Sequence, residues 1–354
     1  MGKAYIKNFG IYSQYAKNSA ALQEVVRHGK AASITSAQRY ICGDIDVTRR
    51  DLIKREDRAV MNTISKMAVS ALADLLEKTD QNRLSQVMLY SACDSEEHSF
   101  ETFREVVQKD PENFWKNISD FNLLSNPLDM LRLLPTNTLY HISKILNNHH
   151  EGVPLRTASL SGMSALKMAR RDMAFGRNSA GALVFSSANM LSFDSLTVFG
   201  KLDEIRYQGH NQSGILPGWG SVFLHLDDNP EKALAEIIEV KIQYRPSVRY
   251  EKEDWISMLT EQKKQHGTPD VIVRYDNGVA EQAKSENDAL EEIFPEVRTV
   301  NYKTLMGYTG KSNNLIDILC CLSDTEIQPG SRVLLNGTGI NYGLGCILLT
   351  KRDS

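Results

Sequence analysis

Apolar residues recur along this chain with two different periods, and the alternation between them is the first fact about its fold. Val60, Met61, Ile64, Met67, Ala68, Ala71, Leu72, Leu75 and Leu76 fall on one face at the 3.6-residue period, which predicts an amphipathic helix over Asp57–Lys78. Shorter helical patterns run over Leu139–Leu146, Met163–Phe175, Glu231–Ile237, Trp255–Gln265, Asn287–Phe294 and Asn314–Leu322. Between them lie compact apolar runs that read as buried strands: Ala4–Ser13, Val87–Tyr90, Ala182–Phe185, Val222–Leu226, Val240–Tyr244, Val271–Tyr275, Val333–Leu335 and Cys346–Leu349. Ala31–Asp51 reads as loop with one short strand at Tyr40–Cys42. The aromatics from Phe100 to Phe121 punctuate a cap or interface region. Strands alternating with helices define an α/β protein. Both parts of the chain run strand, helix, strand, glycine turn, helix, paired strands, so the expectation is one integrated domain of two similar halves, 1–200 and 201–354.

The helical pattern that opens at Met163 follows Thr157-Ala158-Ser159-Leu160-Ser161-Gly162, where an apolar segment breaks at small residues and a helix restarts. A thiolate in such a turn would gain from the unpaired N–H groups and dipole of the helix N-terminus. Serine gains far less and needs a neighbouring base to react.

Composition narrows the classes. With 354 residues and 42% apolar side chains the chain is globular. A net charge of −3 and a pI near 6.3 supply no general attraction to nucleic acid or to a membrane surface. The basic run from Arg49-Arg50 to Lys54-Arg55 reads as a solvated loop or an interface. Five cysteines, Cys42, Cys93, Cys320, Cys321 and Cys346, are odd in number and lack zinc-ligand spacing, as expected of reduced thiols in a cytoplasmic protein. Neither a secretory signal nor a membrane-length apolar run is present in the sequence.

In order and spacing, these landmarks resemble the β-ketoacyl synthases of the thiolase superfamily. Thr157–Gly162 resembles their Thr-Ala-Cys-Ala/Ser-Ser-Gly nucleophile turn, and Pro135-Thr136-Asn137 with His141-Ile142-Ser143 resembles the Pro-Asn and Gly-His-Val/Ile-Ser segment before it. Gly218-Trp219-Gly220-Ser221 is similar to the Gly-Glu-Gly-Ala segment, Lys303-Thr304-Leu305-Met306-Gly307-Tyr308 to Lys-Ser-x-x-Gly-His, Asn336-Gly337-Thr338-Gly339 to the final glycine loop, and Asp57–Leu76 to the Asp-Arg-Ala helix. The resemblance implies a thiolase-like fold of two βαβαβ halves in five layers, α-β-α-β-α.

It also implies a cysteine that carries the acyl chain and two histidines that act on the malonyl extender. Each of these positions is altered here. Ser159 stands at the nucleophile position, Tyr308 at the second histidine, and Asn277 at the first, or Ala280 if the alignment is anchored on Asn287-Asp288. His266-Gly267-Thr268 reproduces the family's His-Gly-Thr but lies before the strand Val271–Tyr275 and not after it, as an exposed turn would. His141 reads as a structural helix residue, and His149-His150 as a loop pair without a carboxylate or cysteine at ligand spacing.

What the resemblance then implies is a non-catalytic subunit, similar to the chain-length factor of type II polyketide synthases. Such a subunit pairs as a heterodimer with an active ketosynthase, works with an acyl carrier protein, and needs no cofactor or metal. Chain-length factors usually carry glutamine where Ser159 stands. Two other readings use the same residues: an acyltransferase or esterase-like enzyme acting through Ser159, and a homodimeric ketosynthase-like scaffold.

Overall fold

The computed structural model describes residues 3–29, 47, 49–95, 111–113, 116, 127–177, 180–202, 205 and 213–353. Most of the Phe100–Phe121 region, the strand expected at Tyr40–Cys42, and Cys42 itself lie outside these residues.

Ten strands make up the described sheet: β1 Ala4–Ser13, β2 Met88–Cys93, β3 Gly152–Pro154, β4 Ala182–Asn189, β5 Trp219–Asp227, β6 Ala235–Tyr244, β7 Val271–Val273, β8 Arg298–Val300, β9 Arg332–Gly339 and β10 Gly343–Lys351. Their order is β3-β2-β4-β5-β1-β6-β10-β9-β7-β8. Read from each outer edge inward, both sets of five run third, second, fourth, fifth, first. The two sets meet where β1 pairs antiparallel with β6, Ala4 opposite Ile237. This changeover lies between Asp227 and Ala235, downstream of the 200/201 division read from sequence.

Eleven α-helices are described: α1 Ser19–His28, α2 Thr63–Leu76, α3 Gln81–Leu84, α4 Pro127–Leu133, α5 Asn137–Leu146, α6 Ser161–Ala174, α7 Phe193–Lys201, α8 Lys252–His266, α9 Ala280–Ile293, α10 Lys303–Met306 and α11 Asn313–Ser323. α6 joins the third strand to the fourth in one set, and α11 does so in the other.

Strand alternation shows how the layers stack, because successive side chains point to opposite faces. On β4, Ala182 and Val184 join a central apolar cluster with α6 and α11, whereas Leu183 and Phe185 join a second cluster with α2. On β9, Val333 and Leu335 enter the central cluster while Leu334 enters a third one with α8 and α9. β4 and β9 are therefore covered on both faces, which is why Ala182–Phe185 and Val333–Leu335 read as unbroken apolar runs. The outcome is the five-layered α-β-α-β-α arrangement. Gly10 shows how tightly it closes: a Cβ there would sit 2.2 Å from the Ala71 carbonyl oxygen and 2.6 Å from the Leu75 nitrogen on α2.

The structure corrects several element assignments. Glu231–Ile237 is not a helix; residues 231–234 are turn and bend, and β6 begins at Ala235 with burial alternating from residue to residue. Two isoleucines beside an alanine fit either period, and pairing with β1 and β10 decides for strand. Residues 57–59 form a 3-10 turn, and α2 starts only at Thr63, where the Asn62 side chain accepts from the Ser65 N–H. α9 begins at Ala280, well before Asn287. α1, α7, β3 and β8 were not anticipated; the two strands are three residues each, too short to show a period.

One outward-facing residue on β5 makes stability depend on pH. His225 is 1% exposed and neither ring nitrogen has a hydrogen-bond partner among the described residues. Burial, reinforced by Arg83, pushes its imidazole pKa down to about 4. The folded protein therefore holds His225 neutral, while the unfolded chain takes up the proton near its ordinary pKa of about 6.5. Above that pH the linkage adds no pH dependence, and stability falls as pH drops from about 6.5 towards 4, by roughly 3 kcal/mol in full. Urea unfolding at pH 7 and pH 4.5 should show wild type losing more on acidification than His225→Leu; parallel losses would rule out this role for His225.

Candidate functional site

The turn at 157–160 links β3 to α6 and is wired by hydroxyls. Ala158 takes a φ of 47°, a left-handed conformation that costs a non-glycine residue about 1–2 kcal/mol. Ser161 holds it there, donating its Oγ–H to the Ala158 carbonyl (2.6 Å) while its Oγ accepts the Thr157 N–H (2.8 Å). Thr157 Oγ1 lies 2.7 Å from Ser164 Oγ one turn further on. The end of β9 presses against the turn: a Cβ at Gly339 would lie 3.1 Å from both Leu160 Cγ and the Thr157 carbonyl oxygen. A side chain at 339 would therefore press on the turn, which would have to give by a few tenths of an ångström.

Ser159 sits in this turn, partly exposed, and its Oγ–H donates to the Thr338 carbonyl at 2.9 Å. Among the described residues that is the side chain's hydrogen bond, and no imidazole joins it. A peptide carbonyl accepts a hydrogen bond but does not take up a proton near neutral pH, so this contact does not activate the hydroxyl.

The other two altered positions come together. Asn277 and Tyr308 are 5% and 2% exposed, and Tyr275 links them: Asn277 Nδ2–H donates to Tyr275 Oη (3.3 Å), which lies 3.3 Å from Tyr308 Oη. Asn277 Oδ1 also accepts the Val279 N–H (3.1 Å), closing the turn ahead of α9. Tyr308 is pinned through its backbone. Its N–H donates to the Leu216 carbonyl (2.7 Å) and its carbonyl accepts from Gly218 (2.9 Å), so the 216–218 segment fixes where the ring points. Phe199 and Tyr275 meet that ring edge-on at 6.1 and 6.3 Å. Ala280, the other candidate for the first histidine position, is exposed at the start of α9.

Three buried ionisable groups support this cluster. Glu286, fully buried on α9, accepts the Tyr275 N–H (2.7 Å), the Asp276 N–H (2.9 Å) and Asn336 Nδ2–H (2.8 Å), which ties the loop after β7 to β9. Burial pushes the Glu286 carboxyl above its ordinary range, against the pull of those donors. Lys303 on α10 pairs with Asp317 on α11 at 2.7 Å, donates to the Arg274 carbonyl at 3.2 Å and lies over the Tyr275 ring at 5.7 Å. Burial raises the Asp317 carboxyl while the Lys303 ammonium opposes that shift. Tyr275, Glu286, Thr338 and Asp317 escaped the sequence reading. Asp317 had a signal, a carboxylate inside the apolar run Asn314–Leu322.

The other histidines singled out in the sequence, His266, His141 and His149-His150, lie elsewhere. His266 ends α8, its Nε2 2.9 Å from Glu239 Oε2 on β6, and its carbonyl accepts from Arg332. Arg332 opens β9 and Thr338 stands near its other end; six strand steps separate them by about 20 Å. His141 is buried on α5, where burial lowers its pKa. His149 and His150 are exposed between α5 and β3. Among the described residues no group of three or more His, Cys, Asp or Glu is gathered as for a metal ion. Cys93, Cys320, Cys321 and Cys346 are unpaired and buried, and no described helix is long and apolar enough to cross a membrane.

No family model and no curated protein matches the chain by sequence. Solved structures do match by fold. A β-ketoacyl synthase from Burkholderia phymatum STM815 aligns over 100% of both chains with a TM-score of 0.73 at 15% identity. The ishigamide ketosynthase/chain length factor aligns over 99% of this chain and 100% of that one, with a TM-score of 0.71 at 16% identity. A type II PKS acyl-carrier protein in complex with its ketosynthase bound to the hexaketide matches over 99% of both chains, with a TM-score of 0.72 at 15% identity. The chain therefore has the thiolase-like fold of the ketosynthases over its whole length.

Two outcomes follow from this geometry. Lys303→Met strands a buried carboxylate and should cost about 3–5 kcal/mol, while Lys303→Met with Asp317→Leu should cost less than the two single losses together by about 1–3 kcal/mol. Chemical denaturation of the four proteins measures this, and additive losses would refute the coupling. His266→Ala removes a partly exposed contact with Glu239 remote from the turn, so it should cost at most about 1 kcal/mol and leave any product yield unchanged; lost synthesis would return His266 to the site.

Proposed function

We propose that the chain is a catalytically degenerate ketosynthase-like subunit that pairs with an active ketosynthase, in the cytoplasm, and helps to set polyketide chain length. The observation that carries this reading is the pairing of Ser159 with a backbone carbonyl, in a whole-chain ketosynthase fold whose two histidine positions hold Asn277 and Tyr308. Tyrosine titrates near pH 10 and asparagine is not a base, so neither restores the acid–base pair that acyl transfer requires. The likeness to a ketosynthase/chain length factor and to a ketosynthase with its acyl-carrier protein supports the same assignment of partners.

A surface suited to a partner subunit accompanies this site. β3 closes one edge of the sheet and pairs only with β2 among the described strands. Beside it, Leu128, Leu131, Leu134 and Tyr140 on and around α4 and α5 are 38–54% exposed. A cavity of about 200 Å³ opens between Leu89, Leu139, Tyr140 and Gly152. An open strand edge next to exposed apolar side chains is a liability unless another chain covers it. In this reading the two five-strand sets act as one integrated domain.

Co-expression with an active ketosynthase and an acyl carrier protein tests the proposal. The chain should purify as a stable heterodimer, and Ser159→Ala should leave polyketide output nearly unchanged. Loss of output by about 10³-fold, the scale expected when a covalent step is removed, or an acyl adduct on Ser159 by intact-mass spectrometry, would favour the acyltransferase reading instead. A monodisperse monomer that ignores the ketosynthase would count against the pairing.

A further inference from the structure

The cavity beside β3 has a histidine in its wall. It measures about 200 Å³ and is lined by the apolar Leu89, Leu139 and Tyr140 and by the polar Thr136, Ser143 and His150. Ser143 is committed, its Oγ–H donating to the Asn148 carbonyl at 2.6 Å. His150 is exposed.

The backbone that carries His150 is fixed. Asn148 is 2% exposed; its Oδ1 accepts the His150 N–H at 3.0 Å, and its Nδ2–H groups donate to the Leu84 and Val87 carbonyls at 3.0 and 2.7 Å. Two residues further on, Gly152 opens β3 opposite Leu89 of β2. The strand lies close against α5 there, since a Cβ at Gly152 would sit 2.9 Å from both methyl carbons of Leu139. His150 thus stands at the root of the open strand edge, within the surface assigned above to the partner subunit.

The charged and titratable groups around it come from the turn and from α5. His149 and Glu151 flank it in the turn, both exposed and neither lining the cavity. On α5, His141 is buried behind Tyr140, ring edge-on at 5.1 Å, and burial lowers its pKa. Lys144 lies 5.9 Å from the centre of the Tyr140 ring and pairs with Asp57 at 2.7 Å. β2 presents Leu89. An imidazolium shut into this cavity would therefore find no carboxylate in the walls that this chain provides.

Covering an imidazole with apolar surface removes the water that solvates its charged form, so the covered ring holds its proton less tightly than the open one. Association is then weakest where the free chain carries the proton, and affinity falls as pH drops. Histidine is the side chain whose charge ordinarily changes between about pH 5 and 8. We propose that His150 makes the pairing of this chain with its ketosynthase partner proton-linked, a neutral imidazole permitting the interface and acidification releasing it; this rests on the subunit reading.

The test measures the heterodimer Kd with an active type II ketosynthase by analytical ultracentrifugation at pH 8 and pH 6. On acidification the wild-type Kd should rise by about three- to tenfold more than that of His150→Gln, the two agreeing at pH 8. His149→Gln should follow wild type. Thermal unfolding at both pH values confirms that each variant is folded. Equal rises in wild type and His150→Gln overturn the proposal, as does a wild-type Kd that falls on acidification. A heterodimer that ignores pH overturns the proposal alone, whereas no heterodimer at either pH refutes the subunit reading and the proposal with it.

Discussion

The structure depends on the two five-strand sets of its sheet closing over one layer of helices. α6 and α11 pack between them, so the backbone must come close wherever a loop meets a helix start. Gly337 and Gly345 make the constraint concrete. A Cβ at the first would lie 2.6 Å from Asn314 Nδ2, and one at the second 2.4 Å from Met163 Sδ. Without those approaches the end of β9 would stand off from the turn at 157–160, and the Thr338 carbonyl would not reach Ser159. Packing in the middle layer thus sets the geometry of the site before any polar contact does.

Chemistry at the site follows from what that packing brings within reach. Two hydroxyl-bearing rings and an amide, Tyr275, Tyr308 and Asn277, are linked to one another and supported by Glu286 and by the Lys303–Asp317 pair. Such a network is worth keeping only if every member is satisfied, since an unpaired buried polar group costs on the order of 1–3 kcal/mol. The arrangement is a well-supported polar cluster that lacks a group able to take a proton at neutral pH. Ser159 is strained into position by Ala158 and then engaged by a carbonyl.

Surface features carry the remaining functional content. The open edge at β3, the exposed leucines near α4 and the basic turns before α2 are contiguous through Arg132, which bonds to the Ala59 carbonyl and itself sits between Leu131 and Leu134.

The amino-acid sequence by itself determined which segments are strands and helices in most runs long enough to show a period, and its resemblance to the β-ketoacyl synthase motifs singled out Ser159, Tyr308 and Asn277, with Ala280 as the alternative to Asn277. It also held signals that pass unnoticed easily: α1 is framed by Asn18, whose side chain caps Ala21, and by Gly29 at a φ of 60°. Short or ambiguous runs were not legible, because three residues at β3 and β8 show no period and Ala235–Ile238 fits two. Only the tertiary structure decided the strand order, the meeting of β1 with β6 and the joining of Asn277 to Tyr308 through Tyr275. It alone separated His266 from the turn by the length of β9. The physical reason is the same in each case: period reports which face of an element is apolar, whereas which faces meet is settled by pairing and packing among residues far apart in the chain.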